Sequence, residues 1–131
     1  MLEVIDTGIA RSAAPLNGTV RAGHQIFTAH ISKDPSSGMF VDGDIEQQTR
    51  QALSNLRQAM QAAGGSLANV VQVQVFLVER SDAAAMNKVY AEFFDEPYPC
   101  RATVVVKELL SAGARIELIA QAVCEPQRVS R

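Results

Sequence analysis

Apolar residues recur every three or four positions between about Ile45 and Ala63, while glutamines and arginines occupy most of the positions between them. This spacing predicts an amphipathic helix that packs one face and exposes the other. Asp44 precedes the stretch as a predicted N-cap, and Gln47 stands three residues later, where it completes a capping box. A pair of glycines at 64–65 follows and supplies the left-handed stop.

A second helical pattern begins near Asp82, capped by Ser81 or Asp82, and runs to about Phe94. The loop DEPYPC then ends the helix, because proline has no N–H to donate and restricts the residue before it. We expect aromatic residues at helical spacing here to pack in the core. The apolar side of this helix consists of Met86, Val89, Tyr90 and Phe93.

Four further stretches have the β-branched and aromatic residues, or the alternation, that are typical of strands. They are residues 23–31, 69–79, 102–109 and 115–123. In residues 69–79 the alternation predicts one face made of Val71, Val73, Val75 and Leu77, and a second made of Gln72, Gln74 and Phe76. A polar face without charges can meet another polar sheet surface or remain solvated, so it is only a weak indication of assembly.

The order of strands, helix, strand, helix, strand and strand predicts an α+β fold with a single mixed sheet. Each helix joins two strands, which suggests two right-handed crossovers with both helices packed on one face of the sheet. The uncovered face then needs a partner. We expect one domain over residues 1–131, with a loose tail over about residues 126–131.

The net charge of −2 and the scattered basic residues mainly argue against certain classes of partner. Without a basic patch we expect neither nucleic acid nor a membrane surface as a partner. The N-terminus MLEVIDTGIA does not resemble a signal peptide, and no stretch approaches a membrane span. The two cysteines, Cys100 and Cys124, fit neither a zinc site nor a disulfide framework. These features predict a cytoplasmic protein.

Several segments together resemble the RidA/YjgF family of reactive-intermediate deaminases. The run GDIEQQTRQALSNLRQAMQAAGGSLANVVQVQVFLVE is similar to the family's first long helix and following strand, and NKVYAEFF is similar to its second helix. PCRATVVV is similar to its arginine strand, and RIELIAQAV to its last strand. The resemblance is dense over residues 40–123 and looser over GHQIFTAHI. Four motifs in the family's order and spacing make the resemblance strong, although no single motif decides it.

The resemblance implies a chorismate-mutase-like fold, assembled as a homotrimer whose sheets enclose a central β-barrel. Ligand clefts would lie between neighbouring subunits. The family's enzymatic members hydrolyse reactive 2-imino and enamine acids to 2-oxo acids and ammonia, without a metal or other cofactor. The resemblance therefore implies a small-molecule carboxylate as the substrate.

Arg101 occupies the position of the family's ligand-binding arginine, at the entry to a predicted strand. A guanidinium is planar, matches a carboxylate with two parallel hydrogen bonds, and stays charged at any working pH. We therefore expect Arg101 to bind and orient the substrate as a catalytic residue. The alternative is an arginine in a surface ion pair.

Three other residues match family positions near the cleft. Glu117 could accept a proton from the water that attacks the imine carbon, while burial would raise its pKa and Arg101 would lower it. An outward-facing strand glutamate is the alternative. Asn87 could hydrogen-bond a loop or the substrate, or it could be an ordinary residue of the helix surface. Thr103 stands where the family often has a cysteine, and we place it among the substrate-binding residues.

The chain departs from the family at two places. Many deaminating members have Tyr-Ser where this chain has Leu16-Asn17, and Ser-Gly where it has Ala29-His30. A hydroxyl that could contact the substrate is thereby missing, and an imidazole replaces a glycine. With an ordinary pKa of about 6.5, His30 could exchange a proton near neutrality or bind a second acidic group of a larger substrate. A hydrogen-bonded structural histidine is the more common alternative at such a position.

Three functions follow from this interpretation. The leading hypothesis is an imine or enamine deaminase, including a variant for larger unsaturated substrates such as the 2-aminomuconate of some relatives. The second is a non-catalytic trimer that binds a carboxylate ligand for sensing or regulation. The third, RNA cleavage, has been attached to relatives, but the acidic balance and the lack of a basic stripe argue against it.

Overall fold

The computed structural model describes residues 1–126, so residues 127–131 of the predicted loose tail lie outside the described part. Within residues 1–126 the chain forms one six-stranded sheet and two α-helices. No helix in this stretch is long and apolar enough to cross a bilayer. The strands are β1 (Leu2–Val4), β2 (Thr19–Ala22), β3 (Gln25–Ile31), β4 (Val70–Leu77), β5 (Cys100–Val105) and β6 (Ile116–Val123), and the helices are α1 (Ile45–Ala62) and α2 (Ala83–Phe93).

The strands lie in the order β1, β2, β3, β6, β4, β5. Strands β4 and β5 are parallel, and every other neighbouring pair is antiparallel. Because β3 and β4 are both antiparallel to β6, they run in the same direction, and α1 and α2 are the connections of two crossovers. The predicted α+β fold, with a mixed sheet and two helices packed on it, is confirmed. The prediction missed β1 and β2, which are too short to carry a clear alternation.

Helix α1 begins where the capping box predicted. The Asp44 carboxylate accepts a hydrogen bond from the backbone N–H of Gln47 at 2.9 Å, and Gln47 Oε1 accepts one from the N–H of Asp44 at 2.9 Å. Its apolar side packs against the sheet and meets α2. The fully buried residues of the core include Ile26, Leu53, Leu56, Met60, Val73, Val75, Met86 and Leu118.

Helix α2 begins differently from the prediction. Asp82 holds the N-cap position, but its side chain makes no capping hydrogen bond. It accepts instead two hydrogen bonds from the Arg115 guanidinium, at 3.0 Å from Nε and 2.8 Å from Nη2. This bidentate pair ties the start of α2 to the residue that precedes β6, so Asp82 serves tertiary packing rather than the helix end.

Strand β4 departs from the predicted alternation at its start. Val70 is buried and Val71 is 47% exposed, because the register between β4 and β6 shifts between Val70 and Gln72. Such an irregularity reverses the side-chain directions on one side of it. The prediction that Val71 shares the buried face with Val73 is therefore wrong.

Strand β5 begins and ends earlier than predicted, at Cys100 and Val105 instead of residues 102 and 109. Its parallel register pairs Gln72 with Cys100 and Leu77 with Val105, so β5 ends where its partner β4 ends. Arg101 therefore lies inside the strand, and the strand fixes its direction.

The sheet face that carries no helix exposes apolar side chains on several strands. Phe27 on β3, Ile119 and Val123 on β6, and Val104 on β5 are each between 39% and 46% exposed. An apolar surface of this kind, spread over adjacent strands, is typical of a contact between proteins. The homotrimer with a central barrel, in which this face would be covered, stays a prediction.

Arg21 of β2 is a buried arginine that joins three chain segments. It is 5% exposed, and its guanidinium donates to the carbonyl of Ala63 at 2.6 Å, of Cys124 at 3.0 Å and of Gly23 at 3.3 Å. The carbonyl of Ala63 belongs to the end of α1, where backbone acceptors lack helical partners.

Replacement of this arginine by an apolar residue of similar length should leave those carbonyls buried without donors. We expect Arg21→Met to lower the free energy of unfolding by about 3 kcal/mol in urea titrations at matched protein concentration. The control is Arg80→Met at an exposed arginine, which should change stability by less than about 0.5 kcal/mol. Equal effects of the two substitutions would contradict the role given to Arg21.

Candidate active site

Arg101 lies on the helix side of the sheet, against α2. In the parallel register it pairs with Val73, whose side chain is buried under the helices. Arg101 Nη2 donates to Asn87 Oδ1 at 2.6 Å, and its Nη1 lies 3.8 Å from Met86 Sδ. Its Cζ atom is 4.4 Å from the centre of the Tyr90 ring. One turn of α2 therefore surrounds the guanidinium with three neutral side chains.

The charge of Arg101 is not paired with any carboxylate within residues 1–126. The side chain is half-buried, and only one of its neighbours is a strong hydrogen-bond acceptor. A guanidinium has five N–H donors, so several remain for a ligand. Within the described residues, Arg101 therefore does not form the surface ion pair that the sequence left open as an alternative.

Thr103 lies two residues beyond Arg101 on the same side of β5. Its register partner Val75 is buried on the helix side, while Thr103 itself is exposed at the sheet edge. We call Arg101, Asn87, Tyr90 and Thr103 the arginine patch. Its members come from β5 and α2 alone, so the parallel crossover through α2 is what brings them together.

Glu117 lies on the opposite face. Its neighbours Ile116 and Leu118 are buried under the helices, so the alternation of β6 directs Glu117 to the helix-free side. Partial burial raises the pKa of this carboxyl group above its ordinary value. Glu117 forms no ion pair with any residue of the described stretch.

A groove of about 830 Å³ contains Glu117. Its walls come mainly from the segment that precedes β2 and from the end of β3, and the other predicted residues among them are Ala29 and His30. Lys33 also lines the groove. We call it the glutamate groove. It brings together three of the residues that the sequence singled out.

The arginine patch and the glutamate groove are separate in one chain. Arg101, Asn87 and Thr103 do not line the groove, and β4 lies between β5 and β6. Two strand spacings amount to about 10 Å, and the side chains of Arg101 and Glu117 point to opposite faces of the sheet. Within one chain, the two groups therefore do not form a common site.

His30 is buried, with 7% of its surface exposed. Its Nε2 lies 2.7 Å from Thr28 Oγ1, which in turn lies 2.7 Å from Thr19 Oγ1. Burial, and secondarily the charge of Lys33, lower the pKa of His30 from 6.5 to about 4. The imidazole is therefore neutral at pH 7, and it takes part in a chain of buried polar groups as a structural histidine does.

Tyr90 is the residue of the arginine patch whose contact with Arg101 the sequence did not reveal. It was expected in the core, and it is indeed only 7% exposed, yet one face of its ring lies against Arg101. Asn87 and Tyr90 are three residues apart on α2 and thus share one side of the helix. That spacing, together with the family position of Asn87, was the available signal.

The sequence pattern of the family described as Endoribonuclease L-PSP matches residues 8–124. The chain belongs to this family, also called RidA/YjgF. The resemblance inferred from the four motifs is thereby confirmed.

Three relatives illustrate the membership of the RidA/YjgF family. A RutC family protein from Pyrococcus horikoshii is 44% identical over 83% of this chain and 88% of its own length. The 2-iminobutanoate/2-iminopropanoate deaminase of Homo sapiens is 35% identical over 94% of this chain and 90% of its own. The crystal structure of E. coli TdcF with bound serine superposes with a TM-score of 0.83 at 31% identity, covering 92% of this chain and 98% of that one.

The positions at which the resemblance implies a departure from the family lie in one place. Leu16, Asn17, Ala29 and His30 all line the glutamate groove, whereas Arg101 and Asn87 belong to the arginine patch.

The described part of the chain holds no group of three or more His, Cys, Asp or Glu side chains that could bind a metal ion. The absence of a cofactor, which the family resemblance implied, stays a prediction.

Because the pKa of His30 is lowered in the folded protein, this residue should make the free energy of unfolding decrease in acid. A histidine whose folded pKa is depressed contributes stability that is present above pH 6.5 and is lost as pH falls through about 4. Between pH 7 and pH 4 we expect the wild type to lose about 3 kcal/mol more unfolding free energy than His30→Gln, measured by chemical denaturation at each pH. His24→Gln, at the exposed second histidine, is the matched control and should follow the wild type. Parallel losses in wild type and His30→Gln would show that the imidazole is not buried in its neutral form.

Proposed function

We propose that this protein hydrolyses 2-imino acids and their enamine tautomers to 2-oxo acids and ammonia, at clefts formed between the subunits of a homotrimer. The observation that carries the proposal is the pair of unpaired opposite charges: Arg101 on one face of the sheet and Glu117 on the other. A 2-imino acid has a carboxylate to be bound and an imine carbon to be attacked by water. One group of each kind is what this reaction requires.

The relatives support imine deamination at the level of the family. The human relative carries the name of a deaminase of 2-iminobutanoate and 2-iminopropanoate. The ligand named for the E. coli structure, serine, has a carboxylate next to a nitrogen-bearing carbon, as a 2-imino acid does. A purely ligand-binding trimer, the alternative considered from the sequence, is not favoured by these relatives.

Arg101 would bind the substrate carboxylate with the donors that Asn87 leaves free. Asn87 accepts from one Nη2 hydrogen, and its own amide N–H groups remain available to the substrate. Thr103 presents a hydroxyl on the same side of β5. Fixing the carboxylate in this way would hold the imine carbon at a defined distance from the partner subunit's groove.

Glu117 would act on the water. As the oxygen of water bonds to the imine carbon and the C=N double bond opens towards nitrogen, the Glu117 carboxylate accepts a proton from the water and passes it to the nitrogen, which gives a carbinolamine. The carboxylate then accepts the proton of the new hydroxyl group and passes it to the nitrogen as the C=O bond forms and the C–N bond breaks. Ammonia and the 2-oxo acid leave, one water is consumed, and Glu117 is again a carboxylate. Because burial raises the pKa of Glu117, the carboxylate is a stronger base than an exposed glutamate.

Ala29 and His30 both line the groove that contains Glu117. Ala29 lies on the same side of the sheet as Glu117 and would contact the part of the substrate beyond the imine. His30 pairs with the buried Leu118, and its neutral imidazole is hydrogen-bonded to Thr28, so it would fix the shape of the groove rather than bind the substrate directly. The choice between small and larger imino acids, including unsaturated ones, is therefore assigned to this groove.

The proposal also covers the location of the protein and its partners in the cell. We infer a cytoplasmic enzyme that binds neither nucleic acid nor membranes, although relatives such as the Schizosaccharomyces pombe protein mmf1 are named as mitochondrial. The net charge of −2 with scattered basic residues supports the inference about nucleic acid.

The first test is ammonia release in a coupled assay in which an amino-acid oxidase generates 2-imino acids. We expect Arg101→Ala to lower kcat/KM by about 100-fold, because a charged bidentate contact is lost, and Arg101→Lys to lower it by about tenfold. Arg80→Ala is the control for loss of an arginine elsewhere. If the wild type does not accelerate ammonia release from any imine but still binds 2-oxo acids, the protein is a carboxylate-binding trimer instead.

A second test asks whether two chains share the site. Arg101→Ala and Glu117→Gln should each have about 1% of wild-type activity or less when alone. Trimers refolded from an equal mixture should recover about a quarter of wild-type activity, because one in four clefts receives both intact residues. The double variant Arg101→Ala/Glu117→Gln, mixed with wild-type chains in the same way, gives the matched reference. No recovery in mixed trimers of confirmed composition would place both residues of each site in one chain.

A further inference from the structure

Phe94 and Tyr90 are stacked, and the Arg101 guanidinium lies over the Tyr90 ring. Phe94 is 4% exposed, and its ring centre lies 4.6 Å from that of Tyr90 with 26° between the planes. Tyr90 is 7% exposed, and the Arg101 Cζ atom lies 4.4 Å from the centre of its ring. The contacts therefore lead from the buried ring of Phe94, through Tyr90, to the charged guanidinium of Arg101.

The guanidinium is held at its edges as well as on one face. Asn87 Oδ1 accepts a hydrogen bond from Nη2 at 2.6 Å, and Met86 Sδ lies 3.8 Å from Nη1. Met86 and Tyr90 are four residues apart and Asn87 and Tyr90 three, so one turn of α2 supplies all these contacts. Met86 and Tyr90 are buried, which limits their own movement. An arginine at a sheet edge would otherwise sample many rotamers.

We propose that Tyr90 is a positioning residue, whose ring fixes the plane of the Arg101 guanidinium so that its remaining N–H donors are directed at the ligand carboxylate. The identity of the ligand as a carboxylate rests on the proposed function. The attraction between a cation and the face of an aromatic ring supplies the holding force. A donor that is already oriented loses less freedom on binding, and this increases affinity without a new contact to the ligand.

The ring, and not the hydroxyl, carries this role. The Tyr90 hydroxyl is buried and has no hydrogen-bond partner within residues 1–126. Burial also raises the pKa of Tyr90, so the phenol stays protonated throughout the working range of pH. Phenylalanine at this position would keep the stacked face, whereas leucine would fill a similar volume without an aromatic face.

The experiment compares Tyr90→Leu, Tyr90→Phe and a matched control. The control is Phe93→Leu, because Phe93 is on the same helix and stacks on a different arginine, Arg57, at 4.9 Å. The probe is 2-oxobutanoate, whose dissociation constant is measured by calorimetry, together with kcat and KM for imine hydrolysis. We expect Tyr90→Leu to raise Kd and KM about fivefold to tenfold with a smaller change in kcat. Tyr90→Phe should restore affinity to within about twofold of the wild type, and Phe93→Leu should leave it unchanged within the same margin.

Two further measurements separate positioning from general damage to the fold. In an Arg101→Ala background, Tyr90→Leu should cause no additional loss of 2-oxobutanoate affinity, because a residue that acts through Arg101 has nothing left to orient. In the wild type, the Arg101 Nε–H proton should show an upfield NMR shift from the Tyr90 ring current. Tyr90→Leu should abolish this shift.

Several outcomes would overturn the proposal. These are wild-type affinity in Tyr90→Leu, equal losses in Tyr90→Leu and Phe93→Leu, a further loss in the Arg101→Ala background, or an unshifted Arg101 proton in the wild type. Failure of the deaminase function is distinguishable from all of them. In that case no imine is hydrolysed faster, while the binding of 2-oxobutanoate still depends on the Tyr90 ring.

Discussion

Strand β6 pairs with β3 on one side and with β4 on the other, and the rest of the structure depends on this double pairing. The two crossovers, β3 to β4 through α1 and β4 to β5 through α2, leave a gap between β3 and β4. The last strand of the chain fills it, so the sheet is completed only by the final described element. The same strand buries Leu118 under the helices and directs Glu117 to the other face. Core formation and the placement of the candidate base therefore have one cause.

Sequence patterns predicted the parts of the fold in which a local signal agrees with the tertiary packing. The capping box at Asp44 and the long period of apolar residues defined α1 almost to the residue. They could not reveal β1 and β2, because a strand of three or four residues has no measurable period. The sequence also could not predict the ends of β5, which depend on its pairing with β4, or the reversed direction of Val71, which depends on the pairing of β4 with β6.

The candidate site shows the same division between local and long-range information. The residue types of Arg101 and Glu117, and the family positions that the resemblance implies for them, predicted binding of a carboxylate and activation of water. Their placement on opposite faces depends on the register of β5 and β6, which no local pattern determines. His30 is likewise buried only in the folded sheet, where Thr28, its hydrogen-bond partner on the same strand, meets Thr19 across the pairing of β2 with β3. The lowered pKa of the imidazole is thus a property of the fold and not of the residue.

Under the proposed function, the opposite orientation of the arginine patch and the glutamate groove determines when the protein can be active. The patch of one subunit would meet the groove of the next in a head-to-tail contact, which forms a ring where the rotation between subunits closes. Every subunit in such a ring takes part in two clefts, once with its arginine and once with its glutamate. A free monomer would hold both halves and no complete cleft. Turnover would then rise with protein concentration more steeply than linearly near the assembly threshold, which makes the amount of protein in the cell a control on its chemistry.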